Sequence, residues 1–130
     1  LHDALPISLI DRQSGELIGI CTFTAYSLEK QRVSGVLQGS QPSEIGVVRL
    51  VMLGVARKYQ KRGFGQDLLC DFFEHVKIIH QALPIKGVYL DADPAAINFY
   101  ARLGFVQLSA TPNAFGAVPM FLAIQHILAA

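Results

Sequence analysis

Gln60-Lys61-Arg62-Gly63-Phe64-Gly65 is the stretch on which the reading of this chain turns. It follows an apolar run, Val47 to Val55, that only Arg49 interrupts. It precedes a segment carrying Leu68, Leu69, Phe72, Phe73, Val76 and Ile79 at spacings of three and four. That spacing makes one apolar stripe and predicts a helix, so the hexapeptide joins a buried strand to a helix N-terminus. Unpaired amide groups and the positive end of the helix dipole attract anions there. The glycines let backbone approach a ligand with no Cβ in the way, while Arg57, Lys58, Lys61 and Arg62 place four cations within six residues. A diphosphate is the guest this arrangement suits. Two other phosphate motifs do not match: a P-loop needs Lys and then Ser or Thr after its second glycine, and a dinucleotide fingerprint needs glycine where Leu68 stands.

Working outward, the turn residues Gln13, Ser14 and Gly15 separate Ser8 to Asp11 from Glu16 to Tyr26 and predict a hairpin. Leu17 to Thr24 is β-branched, aromatic and nearly continuous in apolarity, as a central strand covered on both faces is. Leu28 to Glu44 is a long polar connection containing Gly35, Gly39 and Pro42. After the long helix comes Pro84, then a short strand over Lys86 to Leu90. Asp93 and Pro94 supply an N-cap and first residue for a second helix, Ala95 to Leu103, which Gly104 ends. Phe105 to Leu108 and Val118 to Ile127 read as strands. The order ββ, loop, βαβαββ predicts one α/β domain over residues 1–130, with a mixed, mostly antiparallel sheet, flanking helices and a right-handed crossover through the long helix.

Composition narrows the function classes. Of 130 residues, 52% are hydrophobic and 16% charged, which excludes intrinsic disorder. The longest apolar run falls well short of the ~20 residues that a membrane span needs. A net charge of +1 gives no electrostatic argument for nucleic acid by itself. Cys21 and Cys70 in apolar surroundings read as reduced thiols of a cytoplasmic protein. The chain opens on Leu1 with no initiator Met and no leader pattern, so its start reads as truncated. His2 to Ile7 also matches a translated sequencing adapter, which places the natural protein from about Ser8 onward.

Gln60, Gly63 and Gly65 after an apolar strand resemble the acetyl-coenzyme A motif of the Gcn5-related N-acetyltransferase (GNAT) superfamily. Ala95-Ala96-Ile97-Asn98-Phe99-Tyr100-Ala101-Arg102-Leu103-Gly104-Phe105 resembles the later helix and turn of the same superfamily, and together with the element order the resemblance covers residues 8–127. It implies acetyl-coenzyme A as cosubstrate and direct attack of a primary amine on the thioester, with no enzyme nucleophile and no metal. It further implies that backbone of Leu53, Gly54 and Val55 bonds the pantetheine arm, with the Val55 N–H polarising the thioester carbonyl. Gln60, Lys61, Arg62, Gly63, Phe64 and Gly65 hold the diphosphate, Asn98 bonds the pantetheine or its phosphate, and Tyr100 faces the sulfur as general acid. A preorganised donor of the Val55 kind is typically worth roughly 3 kcal/mol.

A narrower likeness joins Ser27-Leu28-Glu29, the polar linker, the strand into Tyr59-Gln60 and the ending Met120-Phe121-Leu122. These resemble the acetyltransferase toxins of type II toxin–antitoxin modules, which acetylate the amino acid on charged tRNA. That likeness implies aminoacyl-tRNA and a small DNA-binding antitoxin as partners, and is compatible with a homodimer. Met52, Gly54, Ala56 and Lys61 depart from the subfamily's usual Arg, Ala, Asp and Gly, and its first strand and helices are missing here. Two other readings stand beside it: an acetyltransferase of small or protein amines, with Glu44 holding the cationic acceptor, and a coenzyme-binding module without turnover. Asp93 is explained by capping and Asp91 by its strand end, and His2, His75, His80 and His126 show no ligand spacing.

Overall fold

The computed structural model describes residues 4–129. The readings of His2 and of the first three residues lie outside them. Six strands are ordered β1–β2–β3–β4–β6–β5, with β3 and β4 parallel and the pairs β1–β2, β4–β6 and β5–β6 antiparallel. This is the mixed, mostly antiparallel sheet with helices that the sequence predicts. The chain divides into two compact units, one of residues 1–24 and 50–83 and the other of residues 25–49 and 84–130.

In the first unit, β1 (Leu5–Ile10) and β2 (Leu17–Glu29) form the hairpin, in register from Leu5↔Phe23 to Ile10↔Leu17. Asp11 makes the turn: its Oδ1 accepts from the amides of Gln13 (2.8 Å) and Ser14 (3.0 Å), and Gly15 takes φ +75°. The helix α1 (Phe64–Ala82) buries Leu68, Leu69, Phe72 and Val76 of the predicted stripe, and leaves Phe73 and Ile79 half-buried. Phe72 meets Phe23 at 5.2 Å between ring centroids. Gly19 permits this packing, because a Cβ there would lie 2.8 Å from both the Gly54 carbonyl and Leu68 Cδ1. The Leu83 amide bonds Ile79 O, and Pro84 follows the helix end.

In the second unit, β4 (Gly87–Ala92) pairs with β6 (Val118–Ala123) from Gly87↔Ala123 to Ala92↔Val118. Its core gathers Leu28, Val33, Ile45, Val47, Tyr89, Phe121 and Ala123. Asp93 caps as expected, accepting from the Ala95 amide at 2.9 Å. The turn it opens is 3-10 over Pro94–Ala96, and α2 runs only from Ile97 to Arg102.

Three expectations are corrected. The last run is not one strand through Ile127: β6 ends at Ala123 and a helix, α3 (Ile124–Ala129), continues it. Ile124 and Ile127, three residues apart, are its buried positions, a helical spacing hidden inside a short apolar run. The strand read over Phe105 to Leu108 contracts to β5 (Val106–Gln107). Finally, β3 (Glu44–Val55) is not covered along its whole length. Val51 is 39% exposed and Met52 47%, and among the described pairs its parallel register with β4 holds only Val48↔Val88 and Arg49↔Tyr89. No helix among the described residues is long and apolar enough to cross a membrane.

Candidate active site

From Leu50 onward the strand–turn–helix segment lies in the first unit. β3 ends at Val55, and the Ala56 amide bonds Ile18 O at 2.8 Å, fixing where the chain leaves the strand. A single 3-10 turn follows over Arg57–Tyr59, with the Tyr59 amide on Ala56 O. Gln60 then reaches back: its Nε2 donates to Val55 O at 3.0 Å, tying the turn to the strand end. This brings together Leu53, Gly54, Val55 and Gln60 to Gly65 along one continuous path, all of them candidates from the sequence.

Gly63 is the N-cap of α1 at φ +86°, ψ +2°, a left-handed conformation that an L side chain rarely adopts. It brings no capping side chain, and the helix has no side-chain cap hydrogen bond, so the amides of its first turn keep their capacity for an anion. The Asp67 amide is the first to close the helical ladder, on Gly63 O at 3.1 Å. Lys61 also takes a positive φ, +62°, without being glycine. The guanidinium of Arg62 lies against both Tyr59 (5.6 Å) and Phe64 (5.4 Å), whose rings meet edge-on at 6.0 Å, which restricts a long side chain beside the helix mouth.

The four cations differ in availability. Lys58 is paired with Glu16 at 2.8 Å, and Tyr59 OH also donates to that carboxylate at 3.4 Å. The Lys58 hydrogen bond holds the Glu16 carboxyl below its ordinary range. Arg57, Lys61 and Arg62 are exposed.

Asn98 and Tyr100 sit in the second unit, both on α2. Asn98 is exposed. Tyr100 is buried, with Phe99 at 5.2 Å and Phe105 at 5.6 Å in edge-on contact. Its backbone carbonyl accepts from the amides of Leu103 and Phe105, which fixes the helix end and the ring's placement. Cys21 is fully buried, and burial pushes its thiol up to about 11, so it is a core residue rather than a nucleophile. Glu44 accepts from Ser27 Oγ at 3.0 Å.

One cluster escapes a sequence reading. In the second unit Arg49 Nη2 pairs with Asp91 Oδ2 at 3.2 Å, and Tyr89 OH donates to Asp91 Oδ1 at 2.7 Å. Arg32 Nη2 in turn donates to Tyr89 OH at 2.9 Å. The only sequence signals are a lone arginine inside an apolar strand and a Tyr–Asp pair spaced by two on β4.

The model of the GNAT acetyltransferase domain matches residues 8–107. The chain belongs to the GNAT acetyltransferase family. It is accordingly an N-acetyltransferase by family. Among solved structures it is similar to a bacterial toxin, at 95% identity over 98% of this chain and 71% of that one, with a TM-score of 0.96. It shares its fold with a chain of the KacTA–DNA complex, at 21% identity over 99% of this chain and 73% of that one, TM-score 0.79. AtaT shares it too. Its complex with acetyl-methionyl-tRNAfMet matches at 20% identity over 98% and 75%, TM-score 0.80, and AtaTR bound with AcCoA at 20% over 98% and 74%, TM-score 0.78. No curated protein matches.

Proposed function

We propose that this GNAT protein is a toxin of a toxin–antitoxin module, transferring acetyl from acetyl-coenzyme A to the α-amine of the amino acid on a charged tRNA. The observation that carries the reading is the uncapped, glycine-bent mouth of α1, tied to the end of β3 by the Gln60–Val55 bond. The 95% identity to a bacterial toxin supports the biological role, and AtaT, which shares the fold and is solved with an acetylated aminoacyl-tRNA, supports the acceptor. A small DNA-binding antitoxin is the partner that this role requires; AtaT is solved with the C-terminus of the antitoxin AtaR, and KacTA with DNA.

In this reading the first-turn amides of α1, with Lys61 and Arg62, hold the coenzyme diphosphate, Gly63 and Gly65 keep the path open, and Phe64 packs Arg62 in place. Backbone of Leu53, Gly54 and Val55 bonds the pantetheine arm, which then covers the exposed apolar edge at Val51 and Met52. Asn98 bonds the pantetheine. The amine attacks the thioester carbonyl, the Val55 N–H stabilises the developing oxyanion, and the C–S bond breaks as the tetrahedral intermediate collapses. Tyr100 hydrogen-bonds the departing sulfur. Its reference pKa near 10 lies above a thiol's ~8.5, so complete proton transfer is uphill by about 2 kcal/mol and a strong hydrogen bond is its contribution.

The deciding assay offers acetyl-coenzyme A with charged tRNA, a panel of polyamines and a peptide amine. Acetyl found on the aminoacyl-tRNA, with the others at background, is the expected result. Transfer to polyamines or peptide alone assigns the chain to the small-amine or protein-amine class instead.

A further inference from the structure

The Arg49 cluster is not used by the chemistry above, and its geometry is that of a recognition site. Two guanidinium planes lie over two stacked rings: Arg32 is 5.0 Å from the Tyr89 centroid, Arg49 is 5.1 Å from that of Tyr26, and the rings are 5.5 Å apart at 16°. Asp91 is the only acid in the array, so two cations face one anion and the cluster carries an excess positive charge. Tyr89 cannot relieve that excess, because burial and its hydrogen bond to Asp91 raise its pKa and keep it protonated.

Arg49 Nε is buried and has no hydrogen-bond partner, although the side chain as a whole keeps 30% of its exposure. That atom is closed to solvent, so an incoming group reaches Arg49 only through the rest of its side chain, and Arg49 serves the cluster through Nη2 on Asp91 and its plane over Tyr26. Arg32, exposed on the other side of Tyr89, lines a cavity of ≈ 500 Å3 with Ser34, Gly35, Val106 and Gln107. That volume lies within the ~300–1,000 Å3 of small-molecule sites.

We propose that Arg32 and Arg49, held by Tyr89, Asp91 and Tyr26, form the subsite that grips the single-stranded 3′ end of the RNA acceptor. A phosphate oxygen pairs with the exposed Arg32 guanidinium and the adjoining nucleotide occupies its cavity, while Arg49, with its Nε buried, holds Tyr26 and Asp91 in place and adds positive charge. This rests on the charged-tRNA reading above. Planar forks suit phosphate bidentately, and single-stranded ends are read by arginine planes and aromatic faces rather than by charge alone. The cluster is therefore built for an unpaired end, not for the outside of a duplex.

The test measures fluorescence anisotropy with an RNA hairpin bearing a four-nucleotide 3′ overhang and with a blunt hairpin of equal length. The proteins are the unaltered chain, Arg32→Gln, Arg49→Lys, and Arg12→Gln as a cation removed from an exposed turn. Arg49→Lys keeps the charge and a donor for Asp91 but loses the guanidinium plane over Tyr26. The expected result is at least about tenfold weaker overhang binding for Arg32→Gln and Arg49→Lys than for Arg12→Gln. The salt slope should fall by about one for Arg32→Gln. Circular dichroism and acetyl-coenzyme A affinity should match those of the unaltered chain. Overhang binding unchanged from Arg12→Gln in both variants, no binding by the unaltered chain, or equal affinity for the blunt hairpin would overturn the subsite. Failure of the unaltered chain to bind acetyl-coenzyme A in the same samples would overturn the acetyltransferase reading instead, and leaves the RNA result to stand by itself.

Discussion

Lys61 holds a left-handed backbone conformation, at φ +62°, in the middle of the proposed diphosphate turn. For a residue with a Cβ that conformation costs roughly 1–2 kcal/mol, and strain of this kind concentrates at functional sites. Lys61→Gly is therefore expected to raise the unfolding free energy by about 1 kcal/mol in urea titrations, while weakening acetyl-coenzyme A binding through the lost ammonium. Tyr100→Phe separates ring from hydroxyl. The packing on Phe99 and Phe105 is retained, while acetyl transfer falls by about 100-fold or more at unchanged acetyl-coenzyme A affinity. Undiminished turnover would remove Tyr100 from the chemistry. At this scale the turn was legible in the sequence because all its parts are local: Gln60, Gly63 and Gly65 sit within six residues. Arg49 and Asp91 stand 42 residues apart and Arg32 and Tyr89 57, so their meeting depends on strand register, which no local pattern encodes.

Element by element, legibility follows length and period. The stripe of α1, Leu68 to Ile79, recurs over about three turns and reads unambiguously, and its anchor Phe72 is fully buried against Phe23. Phe72→Ala is expected to cost about 3–5 kcal/mol by the lost burial and the cavity left behind, read from a shift in urea midpoint. The α3 segment was unreadable for the opposite reason, since six residues give too few repeats to separate a helix from a strand's continuation. The exposed edge of β3 could not be seen either. Val51 and Met52 look like core in a sequence, and nothing local marks that they stay uncovered. The β1–β2 hairpin carries a pH signature. The Lys58 hydrogen bond lowers the Glu16 carboxyl from 4.5, so the pair adds stability above the unfolded value and loses it as pH falls through the folded one. Glu16→Gln should narrow the gap between the urea midpoints at neutral and strongly acidic pH, and an unchanged gap would show that the pair contributes nothing.

The mixed sheet with its parallel β3–β4 pair goes with the family match over residues 8–107. If the chain is a toxin, its expression should arrest growth, and Tyr100→Phe should relieve the arrest at equal protein level. All of this depends on where the coenzyme's diphosphate lies. The most direct measurement is calorimetric titration of acetyl-coenzyme A into the unaltered chain and into Gly63→Glu, which puts a bulky anion at the mouth of α1. The account requires binding by the first and at least about tenfold weaker binding by the second, at matching circular dichroism; equal affinities in two folded proteins would contradict it.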